Sequence, residues 1–319
     1  MSTALRAQLS QFALDVAEGL SHPLQKHIPS RYFYDTLGSR LFEAITLLPE
    51  YGLTRADKRL LHHYAHEIVS MAGFPAAIAE LGSGTGSKAR FLLEAAAQTH
   101  TEIRYLPVDV CPSALAACHR RYSQIAEVKP ICAEWKDALK QMPKNRRADE
   151  PLLLLFLGSS IGNLDRSELP AFLRMVRASL RHGDAFLLGA DLIKDTDVML
   201  AAYDDPTGVT AAFNLNVLGR INRELAGGFN LRCFSHEVRW NAGQRRIEMH
   251  LVSCRDQTAY IGALDTTFCF RAGETIWTES SHKFTPDELD CLARDSGFVP
   301  QITWLDPAWP FAEALWKPA

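Results

Sequence analysis

Two hydrophobic periodicities alternate along the middle of the chain. Apolar runs of about five or six residues are typical of strands that are buried on both faces of a sheet. They predict strands at residues 76–81, 103–108, 128–133, 152–157 and 185–190. Apolar residues at helical spacing predict helices between these strands, at residues 88–98, 113–124, 134–142 and 166–181. Strand–helix units in series predict a doubly wound α/β sheet of parallel strands.

The pattern changes on both sides of this region. Residues 1 to about 70 show mostly helical spacing, with turns indicated by Pro23, Pro29 and Gly38. After residue 192, helical signals are followed by alternating runs, which predict antiparallel strands near residues 238–240, 246–253, 266–271 and 275–283. A final helix and two strands, at residues 288–297, 299–304 and 312–316, are expected to close the parallel sheet with an antiparallel edge.

This change of pattern predicts two domains. Residues 62–194 and 285–319 would form a Rossmann-like sheet domain that binds a cofactor. Residues 1–61 and 195–284 would form a second, α+β domain. Because both of its segments lie outside the cofactor sheet, we expect the second domain to bind the substrate.

Composition limits the classes of partner. The chain has 319 residues, a formal net charge of −3, and 47% hydrophobic and 22% charged residues, which is ordinary for a globular protein. This charge gives no long-range attraction for nucleic acid or for an anionic membrane. No apolar run reaches the roughly 20 residues of a membrane helix, and the N-terminus lacks the pattern of a signal peptide. We expect a cytoplasmic monomer.

Cysteine and histidine positions argue against a metal site. The 7 cysteines are widely spaced and include no C-x-x-C pair, which predicts reduced thiols. His62 and His66 stand four residues apart in a predicted helix, a spacing that could bind a metal ion. Because no third ligand follows a metal-binding pattern nearby, we expect exposed helix histidines and no metal.

A glycine-rich segment follows the first predicted strand. Glu80 precedes Gly82, Gly84 and Gly86, which alternate with small polar residues. Glycine permits a sharp turn and the close approach of a ligand, because it has no Cβ atom. A dinucleotide fingerprint would need the third glycine one position later. The observed spacing resembles motif I of S-adenosylmethionine (SAM) methyltransferases, and the alternative is a turn that binds no ligand.

Polar and aromatic residues follow the next predicted strands. Asp109 ends the second strand, where a carboxylate can accept hydrogen bonds from ribose hydroxyls or can cap the following helix. Glu134 and Trp135 follow the third strand and suit an adenine ring, although Trp135 would fit a hydrophobic core equally well. Asn163 lies in a glycine-containing loop after the fourth strand and offers a donor and an acceptor together.

Longer motifs spread over nearly the whole chain are more specific than the glycine loop. They are Phe33-Tyr34-Asp35 with Gly38-Ser39, Leu48-Pro49-Glu50-Tyr51, Glu80-Leu81-Gly82-Ser83-Gly84-Thr85 with Lys88, Phe156-Leu157-Gly158-Ser159 with Ile161-Gly162-Asn163-Leu164, Tyr203-Asp204-Asp205 with Gly208-Val209-Thr210, Asn216-Val217-Leu218, Asn222-Arg223-Glu224-Leu225, Ile247-Glu248-Met249, and Thr278-Glu279 with Ser281 and Lys283-Phe284. On these motifs the chain resembles the histidine Nα-methyltransferases, which make hercynine for ergothioneine biosynthesis.

The resemblance implies that SAM donates methyl groups in succession to the α-amine of free L-histidine. It implies that the residues binding histidine are Tyr51, Asn163 and Tyr203 for the amino-acid head, Glu279 and Ser281 for the imidazole, and Met249 for the pocket wall. Tyr34 would lie beside the reacting amine and the cofactor, and the catalytic residues would be Tyr34 and Asn163. The implied SAM contacts are Tyr34, Gly82, Lys88, Asp109, Glu134 and Trp135.

The chain departs from the pattern of this family at three places. Gly52 stands where the family commonly has a second tyrosine. Gly86-Ser87 replaces a more polar pair in the glycine loop, and Glu134-Trp135 replaces the usual Asp-Phe. The last two changes look conservative in role, whereas Gly52 alters the expected outer wall of the substrate pocket.

The imidazole assignment agrees with the chemistry of the residues. Glu279 and Ser281 are two positions apart in an alternating run, so both side chains point to one face of a strand. A carboxylate and a hydroxyl side by side can pair with the two nitrogens of one imidazole. The same spacing also fits an exposed acid and serine on a strand surface.

The alternative function for the chain is SAM-dependent N-methylation of another aromatic amino acid or amine.

Overall fold

The structure is a computed structural model that describes residues 9–99, 102–147 and 150–319. The chain forms two compact units. One comprises the described residues up to Tyr51 together with Lys194–Ser281, and the other, the sheet unit, comprises Gly52–Ile193 and His282–Ala319. Residues 1–8 of the predicted second domain lie outside the described residues. Compactness alone does not assign a function, so the predicted cofactor and substrate domains stay a prediction.

The helices and strands are numbered in chain order. The α-helices are α1 (Gln11–Leu20), α2 (Thr36–Ile45), α3 (Leu53–Met71), α4 (Ala89–Ala97), α5 (Pro112–Tyr122), α6 (Trp135–Asn145), α7 (Leu169–Ser179), α8 (Thr196–Ala201), α9 (Val209–Glu224) and α10 (Pro286–Asp295). The strands are β1 (Lys26–His27), β2 (Ala77–Leu81), β3 (Arg104–Asp109), β4 (Glu127–Val128), β5 (Ile131–Cys132), β6 (Leu152–Phe156), β7 (Ala185–Asp191), β8 (Phe234–Asn241), β9 (Arg246–Ser253), β10 (Gln257–Ile261), β11 (Thr266–Phe270), β12 (Thr275–His282), β13 (Phe298–Leu305) and β14 (Phe311–Pro318). None of the helices in the described ranges has both the length and the apolar character that a membrane span requires.

The sheet unit contains the predicted doubly wound sheet. Its strand order is β13-β14-β7-β6-β2-β3-β4, and β5 also pairs with β3. The strands β7, β6, β2 and β3 run parallel, whereas β14 pairs antiparallel with β7, and β13 with β14. The Rossmann-like α/β fold and its antiparallel edge are therefore confirmed.

Burial explains why these runs form strands. Every residue of β2, β6 and β7 is buried, as expected for strands covered on both faces. Their apolar side chains join a core with residues of the flanking helices, including Leu139 of α6, Leu173 of α7 and Leu289 of α10. Each fully buried leucine contributes about 1.5–3 kcal/mol relative to an exposed one.

The strand order changes direction at β2. The chain passes from β2 to β3 on one side and returns on the other side, where β6 pairs with β2. In open α/β sheets, ligands bind at the carboxyl ends of the strands next to such a switch point. A functional site is therefore expected at the loops that follow β2 and β6.

The other unit is α+β, as predicted. A four-stranded sheet has the order β1-β12-β9-β8, and β10 and β11 form a separate hairpin. The helix α9 packs against α2 and β8. Asp35 caps α2 by accepting a hydrogen bond from the Gly38 backbone N at 2.7 Å, and the same oxygen accepts a second one from Asn216 Nδ2 at 2.9 Å. Because Asn216 belongs to α9, this carboxylate joins the two helices.

Candidate active site

The loop after β2 combines a packed glycine with an accessible one. Gly82, Gly84 and Gly86 all have positive φ angles, of 70°, 52° and 70°. A Cβ atom at Gly86 would lie 2.9 Å from Tyr122 Cε2 and 3.0 Å from Cys118 Sγ. A Cβ atom at Gly84 would meet nothing within 4 Å among the described residues. Gly86 is thus needed for packing, whereas the backbone at Gly84 is accessible to a ligand.

Asp109 fixes the glycine loop. It ends β3, and its Oδ2 atom accepts a hydrogen bond from the Gly84 backbone N at 2.8 Å. Its Oδ1 atom accepts one from the Cys111 backbone N at 2.9 Å, and Cys111, not Asp109, is the N-cap residue of α5. A carboxylate has further lone pairs, so Asp109 can still accept hydrogen bonds from ribose hydroxyls.

Trp135 belongs to the core and also borders the glycine loop. Glu134 is the N-cap residue of α6, and Trp135 is the first residue of that helix. The Trp135 ring lies 4.7 Å from the Phe156 ring and 6.1 Å from the Phe172 ring, measured between centroids. A Cβ atom at Gly82 would lie 3.3 Å from Trp135 Nε1. The ring therefore packs against the core, and its contact with an adenine ring stays a prediction.

Glu80, the acid of the glycine motif, is buried in β2. The hydroxyl of Tyr105 donates a hydrogen bond to Glu80 Oε2. Burial raises the pKa of Glu80 to about 8, although this hydrogen bond and the positive charge of Lys88 oppose the shift. The side chain is therefore mostly protonated at neutral pH, and its hydrogen bond with Tyr105 joins β2 to β3.

Lys88 and Asn163 belong to the loops on either side of the switch point. Lys88 immediately precedes α4, and its Nζ atom lies 3.0 Å from Asp57 Oδ2. Asn163 ends a short 3₁₀ turn, Ser160–Asn163, in the loop after β6, and its side chain is half-buried. Ser159, at the start of this turn, accepts a hydrogen bond from the Asp191 backbone N at 2.9 Å. This bond anchors the loop to the end of β7.

Aromatic side chains in the α+β unit form a connected cluster. The Tyr34 ring lies 5.6 Å from Phe42 and 5.8 Å from Phe213. The Tyr51 ring lies 6.3 Å from Phe42 and 6.1 Å from Tyr203. The structure therefore groups the three tyrosines that the sequence singled out. Phe42 and Phe213 were missed, because their apolar positions on helices looked like ordinary core.

Tyr203 connects this cluster to the predicted imidazole residues. Its hydroxyl donates a hydrogen bond of 2.7 Å to Ser281 Oγ. Ser281 is buried, and Glu279 is half-buried two residues earlier on β12. Met249 of β9 is also buried, and its carbonyl accepts a hydrogen bond from Thr278 Oγ1 at 3.0 Å. The resemblance assigned Tyr203 and Ser281 to different ends of histidine, yet the two hydroxyls are in direct contact.

Trp309 accounts for the departure at Gly52. A Cβ atom at Gly52 would overlap the indole ring of Trp309. The indole Nε1 donates a hydrogen bond of 3.0 Å to Asp191 Oδ1, and Asp191 Oδ2 lies 2.8 Å from Lys283 Nζ. A tyrosine at position 52 would therefore have to displace an anchored tryptophan. The sequence could not show this, because positions 52 and 309 are far apart in the chain.

No group of three or more potential metal ligands occurs in the described part of the chain. His62 and His66 are both exposed on α3, and the His62 ring packs 5.4 Å from the Phe91 ring. The side chains grouped within each unit suit organic ligands: carboxylates, an ammonium group and an aromatic ring in the sheet unit, and hydroxyls, a carboxylate and aromatic faces in the α+β unit. Groups of these kinds can bind a ribose and a planar ring in the sheet unit, or a zwitterion in the α+β unit.

Comparisons with known proteins match nearly the whole chain. A family model described as "Histidine-specific methyltransferase, SAM-dependent" matches residues 12–318. Histidine N-alpha-methyltransferase of Mycobacterium tuberculosis is 41% identical over 94% of this chain and 93% of its own length. The protein of the same name from Mycolicibacterium smegmatis gives the same values. Ergothioneine biosynthesis protein 1 of Neurospora crassa is 29% identical over 88% of this chain and 32% of its own length.

Proposed function

The chain belongs to the family of histidine-specific, SAM-dependent methyltransferases, and we propose that it methylates the α-amine of free L-histidine in three steps to Nα,Nα,Nα-trimethylhistidine. The family establishes a SAM-dependent enzyme. The number of transfers and the role of each residue are the parts that we propose. The similarity to a fungal ergothioneine biosynthesis protein supports a role of the product, hercynine, in that pathway.

The residues of the sheet unit fit SAM as the methyl donor. Gly84 leaves its backbone accessible, and Asp109 retains acceptor capacity next to it. Trp135 offers an aromatic ring at Gly82, and Lys88 offers an ammonium group that suits a carboxylate. When bound, SAM supplies a methyl group on a positively charged sulfur. We propose that these residues, with Glu134 and Tyr34, hold it.

The residues of the α+β unit suit histidine. In our proposal, Glu279 accepts a hydrogen bond from one imidazole nitrogen, and Ser281 pairs with the other. Tyr51 and Tyr203, with Asn163 of the sheet unit, orient the carboxylate and amine, and Met249 walls the ring. The hydrogen bond between Tyr203 and Ser281 supports this assignment, since it links the two groups of residues within one unit. It is the structural observation on which the proposal depends most.

The reaction places few demands on acid–base chemistry. The leaving group is a neutral thioether, so no residue has to protonate it. The protein must hold the amine with its lone pair free and aimed at the methyl group, and such positioning can supply up to about 7–11 kcal/mol of barrier reduction. A nearby positive charge and an apolar pocket both lower the pKa of an amine. Each of the first two transfers leaves an alkylammonium group that loses one proton to solvent water before the next transfer. We therefore assign Tyr34 a positioning or proton-relay role, with no obligatory strong base.

Successive transfers require a site that tolerates the loss of N–H donors. In our proposal, Asn163 holds the amine early, and aromatic faces stabilise the alkylammonium group later. The contacts of Tyr34 with Phe42 and Phe213 support this proposal, because they provide several aromatic faces in one cluster. A quaternary ammonium product cannot donate hydrogen bonds, so cation–π attraction is its main polar contact.

The test is to incubate the protein with SAM and one amino acid at a time and to follow product masses. We expect histidine alone to gain one, two and then three methyl groups. Tryptophan and phenylalanine test the alternative of another aromatic acceptor. Preferential methylation of either one, or a final product with fewer than three added methyl groups on histidine, would contradict the proposal.

A variant arm of this test addresses the imidazole contact. Glu279→Ala should reduce the ratio of kcat/KM for histidine to that for phenylalanine by at least about tenfold, because a lost polar contact removes the discrimination. Tyr260→Phe is the matched control. It removes an exposed hydroxyl that donates a hydrogen bond to Asp265 elsewhere in the same unit. An unchanged ratio for Glu279→Ala would exclude this residue from imidazole recognition.

A further inference from the structure

Three charged side chains from separate elements meet inside the sheet unit. They are Asp57 of α3, Lys88 before α4 and Glu313 of β14. Asp57 and Glu313 are 0% exposed, and the side chain of Lys88 is 23% exposed. Lys88 Nζ lies 3.0 Å from Asp57 Oδ2. Neither carboxyl group belongs to the site residues that the sequence predicts, although Lys88 does.

Two glycines provide the space for this cluster. Gly189 of β7 pairs directly with Glu313 of β14, and a Cβ atom at Gly189 would lie 2.9 Å from Glu313 Oε1. The same Cβ atom would lie 3.2 Å from the backbone N of Gly158. A Cβ atom at Gly158 would overlap Lys88 Nζ. Side chains larger than glycine at these two positions would therefore collide with Lys88 or Glu313.

The two carboxyl groups require a shared proton. They lie within hydrogen-bonding reach of each other, but apart from the ion pair with Lys88 their oxygen atoms accept no hydrogen bond from donors in the described residues. Buried carboxylates in contact repel each other unless one is protonated, and the proton then forms a hydrogen bond between them. Burial, together with the charge of Asp57, raises the pKa of Glu313 well above its ordinary value. The proton therefore resides on Glu313, and Asp57 is the carboxylate that faces Lys88.

We propose that Asp57 and protonated Glu313 form a positioning pair that holds the Lys88 ammonium group for cofactor binding. Glu313 donates a hydrogen bond to Asp57, and the Asp57 carboxylate balances the charge of Lys88. The three side chains then carry no net charge. The inference rests on the use of SAM and on the proposed cofactor contact of Lys88, and it does not depend on which amine accepts the methyl group.

The location of Lys88 explains why its orientation matters. It directly follows the glycine-rich loop after β2, and its Nζ atom lies against Gly158 at the start of the loop after β6. These are the two loops at the switch point of the sheet. The amino-acid part of SAM carries a carboxylate, which an ammonium group binds through charge-assisted hydrogen bonds. A second negative charge on Glu313 would compete with that carboxylate for Lys88.

One more titratable group acts on the cluster. Glu80 of β2 interacts electrostatically with both Lys88 and Asp57. The charge of Asp109 also raises the pKa of Glu80. Burial raises the pKa of Glu80 to about 8, so this side chain contributes little negative charge at neutral pH. Asp57 is then the main counter-charge of Lys88.

The test is the Kd of S-adenosylhomocysteine, measured by titration calorimetry without any acceptor amino acid. Asp57→Asn should weaken binding by at least about tenfold, because the charge-assisted contact that orients Lys88 is lost. Glu313→Ala should also weaken binding, and Glu313→Gln should restore it, since an amide donates the same hydrogen bond without a charge. The matched control is Glu150→Gln. It removes the negative charge of another buried ion pair in the unit, in which Glu150 Oε2 lies 2.6 Å from Arg104 Nη1.

Infrared spectroscopy tests the proton itself. Relative to the wild type, Glu313→Gln should lose a component of the carboxylic-acid C=O band at neutral pH. Glu80→Gln, which removes the other protonated side chain, identifies the remaining component. A purely structural role for an ionised Glu313 would not change this band.

Two results would overturn the proposal: unchanged or tighter binding by Asp57→Asn, or an unchanged carboxylic-acid band in Glu313→Gln. If Asp57→Asn does not fold, the comparison of Glu313→Ala with Glu313→Gln decides the question through the same Kd measurement. A failure to methylate histidine would leave all of these results unaffected, because no acceptor is present. The two proposals therefore fail in distinguishable ways.

Discussion

At the scale of single residues, burial sets the protonation state of Glu80. The carboxyl group lies in the fully buried strand β2, and its pKa is raised to about 8 from an ordinary value of 4.5. The folded protein therefore holds a proton that the unfolded chain releases between these two pH values. The contribution of this group to stability is complete below about pH 4.5 and is lost as the pH rises toward 8, by up to about 1.4 kcal/mol per pH unit.

Glu80→Gln should flatten this pH dependence, because an amide does not titrate. We expect the free energy of unfolding of the variant, measured in urea at about pH 5 and about pH 8, to decrease less than that of the wild type. Glu94→Gln, an exposed change on α4, is the matched control. Equal slopes for Glu80→Gln and the wild type would show that Glu80 is ionised in the folded protein throughout this range.

At the scale of elements, different glycines of the loop after β2 serve packing and ligand approach. A Cβ atom meets other atoms closely at Gly86 but nothing within 4 Å at Gly84 among the described residues. Gly73, outside the candidate site, resembles Gly84, with a positive φ of 85° and nothing described within 4 Å of its Cβ position. The two positions therefore share a backbone conformation that only glycine adopts without strain, and they differ in their proximity to the proposed cofactor.

Gly84→Ala and Gly73→Ala should destabilise the fold by similar amounts, about 1–2 kcal/mol each, because both force alanine into the left-handed region. Only Gly84→Ala should weaken binding of S-adenosylhomocysteine, by about tenfold or more, since its methyl group occupies the surface on which we expect the cofactor to lie. Calorimetric titration of both variants measures this difference. Equal affinities for the two variants would remove Gly84 from the cofactor site.

The elements that the sequence predicted well are those with long apolar runs. The prediction of a continuous strand at residues 128–133 was wrong, because Pro130 has no N–H group and separates β4 from β5. The strands β1 and β10 were missed. Lys26–His27 is too short to show a period. The strand β10 buries just Ala259 and Ile261, which is too few apolar positions for a visible alternation.

At the scale of the whole molecule, each compact unit is assembled from two separate segments of the chain. The change of hydrophobic period near residue 192 predicts a division near the boundary between Ile193 and Lys194, whereas no such change marks the boundary between Tyr51 and Gly52. Contacts between distant positions were not predictable from the pattern, such as Trp309 over Gly52 or Phe213 against Tyr34. The family motifs supplied the predicted site residues, and the structure shows which side chains contact them.

The measurement that tests the central claim most directly is the position of the transferred methyl group. Histidine labelled with a heavy isotope at the α-nitrogen is incubated with SAM that carries an isotope-labelled methyl group, and the product is studied by NMR. We expect every transferred methyl group to show coupling to the α-nitrogen. Transfer to a ring nitrogen, or no transfer to histidine at all, would contradict the account.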